Sequence, residues 1–268
     1  MIDRRGQRFA WRETGSGSGL PLVLLHGLGG SRLSWEPQLT ALSVERRVLA
    51  WEVPGYGDSA PLDGSFTFET LADAVVDFAT EAAIDDQRFH LAGISFGGMI
   101  AQHVAARHGA HIASLALLAT SPRFGMDGTT PDEWRSARLA PLDAGEEPAD
   151  VAERVLGGIA GPSITEAAFA GQVAAMRRVH GAALRRAIDC VVTHDARAIL
   201  PTVTAPTLCI VGELDRETPV GYSACIAELI PAARLVVIEG AGHLLNVEAA
   251  EQVNALIAAH IANEEAIA

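Results

Sequence analysis

A serine lies between spaced glycines in Gly93-Ile94-Ser95-Phe96-Gly97-Gly98, just after the apolar run Phe89-His90-Leu91-Ala92 and just before a helical pattern. In a tight strand-to-helix turn such a serine is held in a strained backbone conformation that lifts its hydroxyl out of the sheet. Gly93 and Gly97 remove the side chains that would collide with the flanking strand and helix. The chemistry this permits is nucleophilic acyl transfer, and the remaining parts can be sought by what it requires. A serine hydroxyl is a poor nucleophile at neutral pH, so it needs an imidazole base, and the imidazole needs a carboxylate to fix its tautomer and stabilise its cation. Of nine histidines, His243 suits the base best, because it follows the apolar run Leu235 to Ile238 on the loop Glu239-Gly240-Ala241-Gly242 and precedes a helical pattern. His103, His108, His111, His180, His194 and His260 fall on helix-like or surface segments, where a packed or solvated imidazole is expected. Asp215, just after the strand-like Leu208-Cys209-Ile210-Val211-Gly212, suits the acid. Its rivals are Glu213, too close to the strand end, and Glu217, nearer the next helix; the earlier position after Ala119 offers only Thr120 and Ser121. The oxyanion needs donors, and His26-Gly27-Leu28-Gly29-Gly30 can supply them after the first long apolar strand. Leu28 N–H and Phe96 N–H are the expected pair, with His26 bracing the turn.

These residues must be carried to one sheet edge. Strand-like runs occur at Leu20 to Leu25, Arg47 to Val53, Phe89 to Ile94, Ile112 to Ala119, Thr207 to Val211 and Arg234 to Ile238, most of them apolar on both faces. That pattern predicts a parallel sheet covered by helices on each side. Helical patterns alternate with them at Glu69 to Ala83, Gly98 to Arg107, Gly221 to Ile230 and Val247 to Ile261, which implies right-handed crossovers and a doubly wound α/β fold. Ile2 to Glu13 alternates as an antiparallel edge hairpin, and Gly15-Ser16-Gly17-Ser18-Gly19 reads as a flexible turn. Between about Ser121 and Leu200 the alternation stops, and helical stretches at Ala149 to Leu156 and Ala167 to Arg186 are separated by Gly and Pro turns. The expected organisation is a core of residues 1–120 and 201–268 with a helical cap, 121–200, over the carboxyl ends of the strands, where open α/β sheets bind ligands.

Composition narrows the chemistry. The net charge of −13 argues against nucleic acid or an anionic membrane surface as partner. All twenty basic residues are arginine, so lysine Schiff-base chemistry and a phosphate-loop lysine are unavailable. Cys190, Cys209 and Cys225 show no ligand spacing, and Cys209 lies in an apolar strand as a small buried hydrophobe. No metal or organic cofactor is implied. With no bilayer-length apolar run and a polar amino terminus, a cytoplasmic location is expected.

With these motifs in place the chain resembles the α/β-hydrolase superfamily along almost its full length. The turn at Ser95, the His26-Gly27 turn, Pro54-Gly55-Tyr56-Gly57-Asp58-Ser59, Gly212-Glu213-Leu214-Asp215 and Gly242-His243 follow that superfamily's order and spacing. The aspartate often found before the Pro-Gly turn is replaced by Glu52. Gly97 to Gln102, Pro131 to Arg138 and His243 to Glu248 are most similar to 3-oxoadipate enol-lactonases. That resemblance implies a small ester or enol-lactone substrate bearing a carboxylate, with Trp134 as an aromatic wall and Arg138 as the carboxylate's partner. Trp134 packing the cap and Arg138 as a solvated residue are equally open at this point, and Val179 to Arg197 matches the lactonases poorly. The same triad could also serve carbon–carbon bond hydrolysis of a ring-fission product, cofactor-free perhydrolysis or haloperoxidation, or a slow-turnover small-molecule receptor. Haloalkane dehalogenation is disfavoured, because it needs a carboxylate where Ser95 stands.

Overall fold

The computed structural model describes residues 1–84 and 88–266. Among these, the strands are β1 (Ile2–Arg5), β2 (Ala10–Thr14), β3 (Gly19–Leu25), β4 (Arg46–Trp51), β5 (Phe89–Ile94), β6 (Ile112–Leu118), β7 (Thr207–Gly212) and β8 (Arg234–Ile238). They form one eight-stranded sheet in the order β1-β2-β4-β3-β5-β6-β7-β8. β1 and β2 form the expected antiparallel hairpin and β2 runs antiparallel to β4, while every pair from β4 to β8 is parallel.

The helices of the two faces follow from the strands' alternation. Val23, Leu25, Leu49, Leu91 and Leu117 point to one face, where they meet α2 (Phe68–Glu81) and α3 (Phe96–Arg107). Leu22, Leu24, Val48, Ala116 and Ile210 point to the other, against α1 (Glu36–Ala41) and α10 (Ala250–Glu265). Helix α2 begins on a reciprocal cap between Thr67 and Thr70 and buries Leu71, Val75 and Phe78. Helix α3 is buried nearly all round, from Phe96 to Ala105, because it is enclosed on several sides.

Between β6 and β7 the chain forms α4 (Pro131–Asp143), α5 (Pro148–Ile159), α6 (Glu166–Met176) and α7 (Gly181–Val191). The helical pattern from Ala167 to Arg186 is thus divided, because Arg178 leaves the helix to donate to Asp58 at 2.7 Å and His180 adopts an extended conformation before Gly181. The pattern from Val247 to Ile261 is also divided, into α9 (Leu245–Glu248) and α10. There the Glu248 carboxylate turns back onto the N–H groups of Gly242 and Leu244, and Ala249 leaves helical geometry. After β7 comes α8 (Val220–Leu229). Among the described residues no helix is long and apolar enough to cross a membrane.

A buried charge cluster fastens the turn after β4. Arg32 donates to Glu52 at 2.5 Å and to Asp58 at 2.6 Å, Asp58 N–H donates to Glu52 at 2.9 Å, and Glu52 is fully buried. Burial pushes the Glu52 carboxyl above its usual range, against the Asp58 N–H and the Arg32 charge, which favour its ionised form. Removing Glu52 leaves the buried Arg32 guanidinium with only the half-exposed Asp58 and Asp3 as partners. Glu52→Gln is therefore expected to lower the unfolding free energy by about 3 kcal/mol, measured by urea denaturation with an unchanged m-value.

Candidate active site

Ser95 is the first residue after β5 and sits at φ 53°, ψ −119°, a left-handed conformation that a serine adopts only when its surroundings impose it. Three hydrogen bonds impose it here. Ser95 N–H donates to Leu118 O at 2.9 Å, Thr120 Oγ1 donates to Ser95 O at 2.8 Å, and Met99 N–H donates to the same carbonyl at 3.0 Å. A Cβ on Gly93 would strike the Gly97 carbonyl, and one on Gly97 would strike the carbonyls of Leu25 and His26. Gly98 belongs to the same device, since a Cβ there would stand 2.6 Å from Thr120 Cβ.

His243 and Asp215 arrive from the loops after β8 and β7. His243 Nε2 lies 3.0 Å from Ser95 Oγ, and His243 Nδ1 lies 2.9 and 3.1 Å from the two Asp215 oxygens. Asp215 also accepts from the N–H groups of Glu217 and Thr218 and from Thr218 Oγ1 at 2.8 Å. Burial raises the Asp215 pKa, but the His243 charge and hydrogen bond, with those from Thr218, outweigh it and hold the carboxyl below its ordinary range. For His243 the order reverses: burial opposes the imidazolium, and the Asp215 charge and hydrogen bond prevail, so its pKa is raised. The rival carboxylates are occupied elsewhere: Glu213 accepts from Gly240 N–H at 3.1 Å and Glu217 pairs with Arg138 at 2.6 Å.

His26 is buried in the turn after β3, with Nδ1 donating to Gly27 O at 2.9 Å and Nε2 accepting from Val53 N–H at 3.1 Å. Burial lowers its pKa to about 4, so it braces the turn as a neutral ring. Gly27 packs on Ser95, its Cβ position standing 3.3 Å from Ser95 Cβ. Leu28 in this turn and Phe96 at the start of α3 both line a cavity of about 670 Å³ that contains Ser95 and His243. Phe96 N–H belongs to the first turn of a helix, whose N–H groups lack intrahelical acceptors.

The cavity's other walls come mainly from the helices between β6 and β7: Trp134, Leu142, Val151, Val155, Leu184 and Ile188. Trp134 packs edge-on against Phe124 at 5.5 Å, and the Arg138 guanidinium lies over its ring at 5.3 Å. The Ser95 and His243 pair therefore opens on apolar surface. A second cavity, about 50 Å³, touches Ser95 and His243 from the side of Ser34, Gln172 and Asn246.

Sequence reasoning passed over Glu248. Its carboxylate accepts from Gly242 N–H at 2.6 Å and Leu244 N–H at 2.9 Å, the two neighbours of His243, and from Gly161 N–H at 3.0 Å in the loop after α5. Its position five residues beyond His243 was the available signal, but it lay in an apparently continuous helix.

Residues 22–256 match the alpha/beta hydrolase family, and the chain belongs to it; it is a hydrolase. The chain is 34% identical over 235 residues to a pimeloyl-[acyl-carrier protein] methyl ester esterase from Chromobacterium violaceum, covering 85% of this chain and 88% of that one. It is 30% identical over 256 residues to the dihydrolipoyllysine-residue acetyltransferase component of an acetoin cleaving system from Pseudomonas putida, covering 93% of this chain but 65% of that longer protein. Its fold superposes with a TM-score of 0.84 on the enol-lactonase from Burkholderia xenovorans LB400, at 24% identity and covering 97% of this chain and 100% of that one, which is a likeness of fold.

Imidazole NMR should show His243 titrating above the ordinary 6.5, with Asp215→Asn bringing the midpoint down and Glu248→Gln doing so to a smaller extent. In the same spectra His26 should stay neutral until about pH 4.

Proposed function

We propose that the protein hydrolyses a carboxylic ester or lactone through an acyl-enzyme, with Ser95 as nucleophile, His243 as base and acid, and Asp215 as the group that holds His243. The observation that carries this reading is the unbroken hydrogen-bonded line Asp215–His243–Ser95, ending on an apolar cavity. Asp215 keeps Nδ1 protonated, which leaves the Nε2 lone pair facing Ser95 Oγ. Oγ attacks the carbonyl carbon as its proton passes to Nε2. The resulting oxyanion is met by the N–H groups of Leu28 and Phe96. His243 then protonates the leaving alkoxide, and the alcohol departs. A water deprotonated by His243 attacks the acyl carbonyl, Ser95 recovers its proton, and the acid is released. The small cavity beside Ser95 and His243 has room for such a water.

The helices between β6 and β7 serve in this reading as a cap over the reacting groups, with Trp134 and Arg138 in the substrate wall. The large cavity falls within the range of about 300–1,000 Å³ that encloses drug-sized ligands, which suits an extended apolar acyl or alcohol chain. The curated esterase from Chromobacterium violaceum, named for a methyl ester, supports ester cleavage.

The test is hydrolysis of p-nitrophenyl butyrate. Ser95→Ala should lower kcat by roughly 10⁴-fold or more, and Asp215→Asn by about 10⁴-fold; an active Ser95→Ala protein would exclude the mechanism. A fluorophosphonate should add one mass increment on Ser95, with protection by the ester substrate. Because His243 must be neutral to accept the Ser95 proton and its pKa is raised, kcat/KM should fall on the acid side with a midpoint above 6.5. Asp215→Asn should move that limb to lower pH.

A further inference from the structure

Two of the three arginines that line the large cavity are paired within the protein. Arg138 is held by Glu217 at 2.6 Å and Arg154 by Glu146 at 3.1 Å. The Glu133 carboxylate accepts from Thr130 N–H and Oγ1 at the start of α4, and the Asp127 carboxylate accepts from Thr129 N–H at 3.0 Å. Arg123 differs. It lines the same cavity, forms no ion pair among the described residues, and its guanidinium makes one long donation, 3.4 Å, to Phe124 O. A guanidinium beside apolar walls keeps unfilled donors that favour a planar anion.

The backbone carrying Arg123 is clamped on both sides. Phe124 N–H donates to His194 O and Ala196 N–H donates to Pro122 O, each at 2.8 Å, so the segments leaving β6 and returning toward β7 are stitched together. The adjoining Ser121 carbonyl accepts from Gln102 Nε2 at 3.0 Å and His194 Nε2 at 2.9 Å, and both donors are buried. Tyr222, near the start of α8, lines the cavity as well; burial and the Asp127 carboxylate raise its pKa, against the Asp127 N–H and the Arg123 charge, so the phenol keeps its proton.

We propose that Arg123, assisted by the Tyr222 hydroxyl, forms an anion subsite in the cavity wall, and that the substrate carries a carboxylate separated from its scissile ester by an apolar stretch. This rests on the ester-hydrolase reading for the reacting end and on Arg123 for the other. Arg138, the arginine that the resemblance to enol-lactonases brings forward, has its charge already engaged by Glu217. Met99, Leu184 and Ile188 are among the apolar residues that line the same cavity.

The experiment is calorimetric binding of monomethyl suberate and dimethyl suberate to the Ser95→Ala protein, which cannot turn them over. The half-ester should bind about ten-fold tighter, the scale of one charge-assisted contact. Adding Arg123→Gln should bring the ratio of affinities close to one, Arg123→Lys should retain part of it, and Tyr222→Phe should reduce it a few-fold. Equal affinities in the Ser95→Ala protein, a preference that survives Arg123→Gln, or binding of neither ester would overturn the subsite. Turnover of both esters by the wild-type protein is scored separately. A ten-fold binding preference without Ser95-dependent turnover would retain the subsite and remove the ester reading, whereas turnover with equal affinities would remove the subsite alone.

Discussion

The strained backbone of Ser95 is the constraint on which the rest of the site depends. A serine at positive φ is unstable by itself, and it persists because β6, Thr120 and the first turn of α3 each bind one of its peptide groups. The same constraint demands that α3 pass close to β3, β5 and the segment after β6, which is possible only because Gly93, Gly97 and Gly98 present no side chain. Fixing the turn aims Oγ away from the sheet and places Phe96 N–H at the open end of a helix. His243 and Asp215 are then positioned relative to a turn held by three hydrogen bonds.

His243 is brought to that atom by packing rather than by its own loop. Gly212 at the end of β7 allows the Ala241-Gly242 backbone to lie against it, since a Cβ would strike both carbonyls. Glu248 binds the N–H groups on either side of His243 and one from the loop after α5, so the imidazole loop and the helices above the sheet share one anchor. Beneath them Val151, Leu156, Val173, Met176, Leu244 and Val247 form a separate apolar cluster. The His243 loop and the cavity wall are thus parts of one packed unit.

A second tie between the two regions is ionic. Glu52 lies between Arg32 and the Asp58 N–H, and Arg178, after α6, reaches Asp58 at 2.7 Å. The longer side chain of Glu52, where the resemblance leads one to expect aspartate, lies against Gly57, at which any Cβ would meet its carboxylate. Burying charge is costly, so such a cluster contributes more to the placement of the turn after β4 than to net stability.

The parallel strands were legible because both faces of β3, β5, β6 and β7 are apolar, and the residues of the Asp215–His243–Ser95 line were legible because each follows such a run within a few positions. What escaped were features made by contacts distant in the chain. The helix pattern through Glu248 is periodic, yet it breaks because the carboxylate finds N–H groups before it and in another loop; the break at Arg178 follows from Asp58, 120 residues away. Local sequence therefore determined which segments become strands and which residue types stand at their ends. Tertiary structure alone decided which arginine retains an unfilled charge beside the cavity, because Arg123 and Arg138 are equally basic in sequence and differ only in whether a carboxylate such as Glu217 is folded against them.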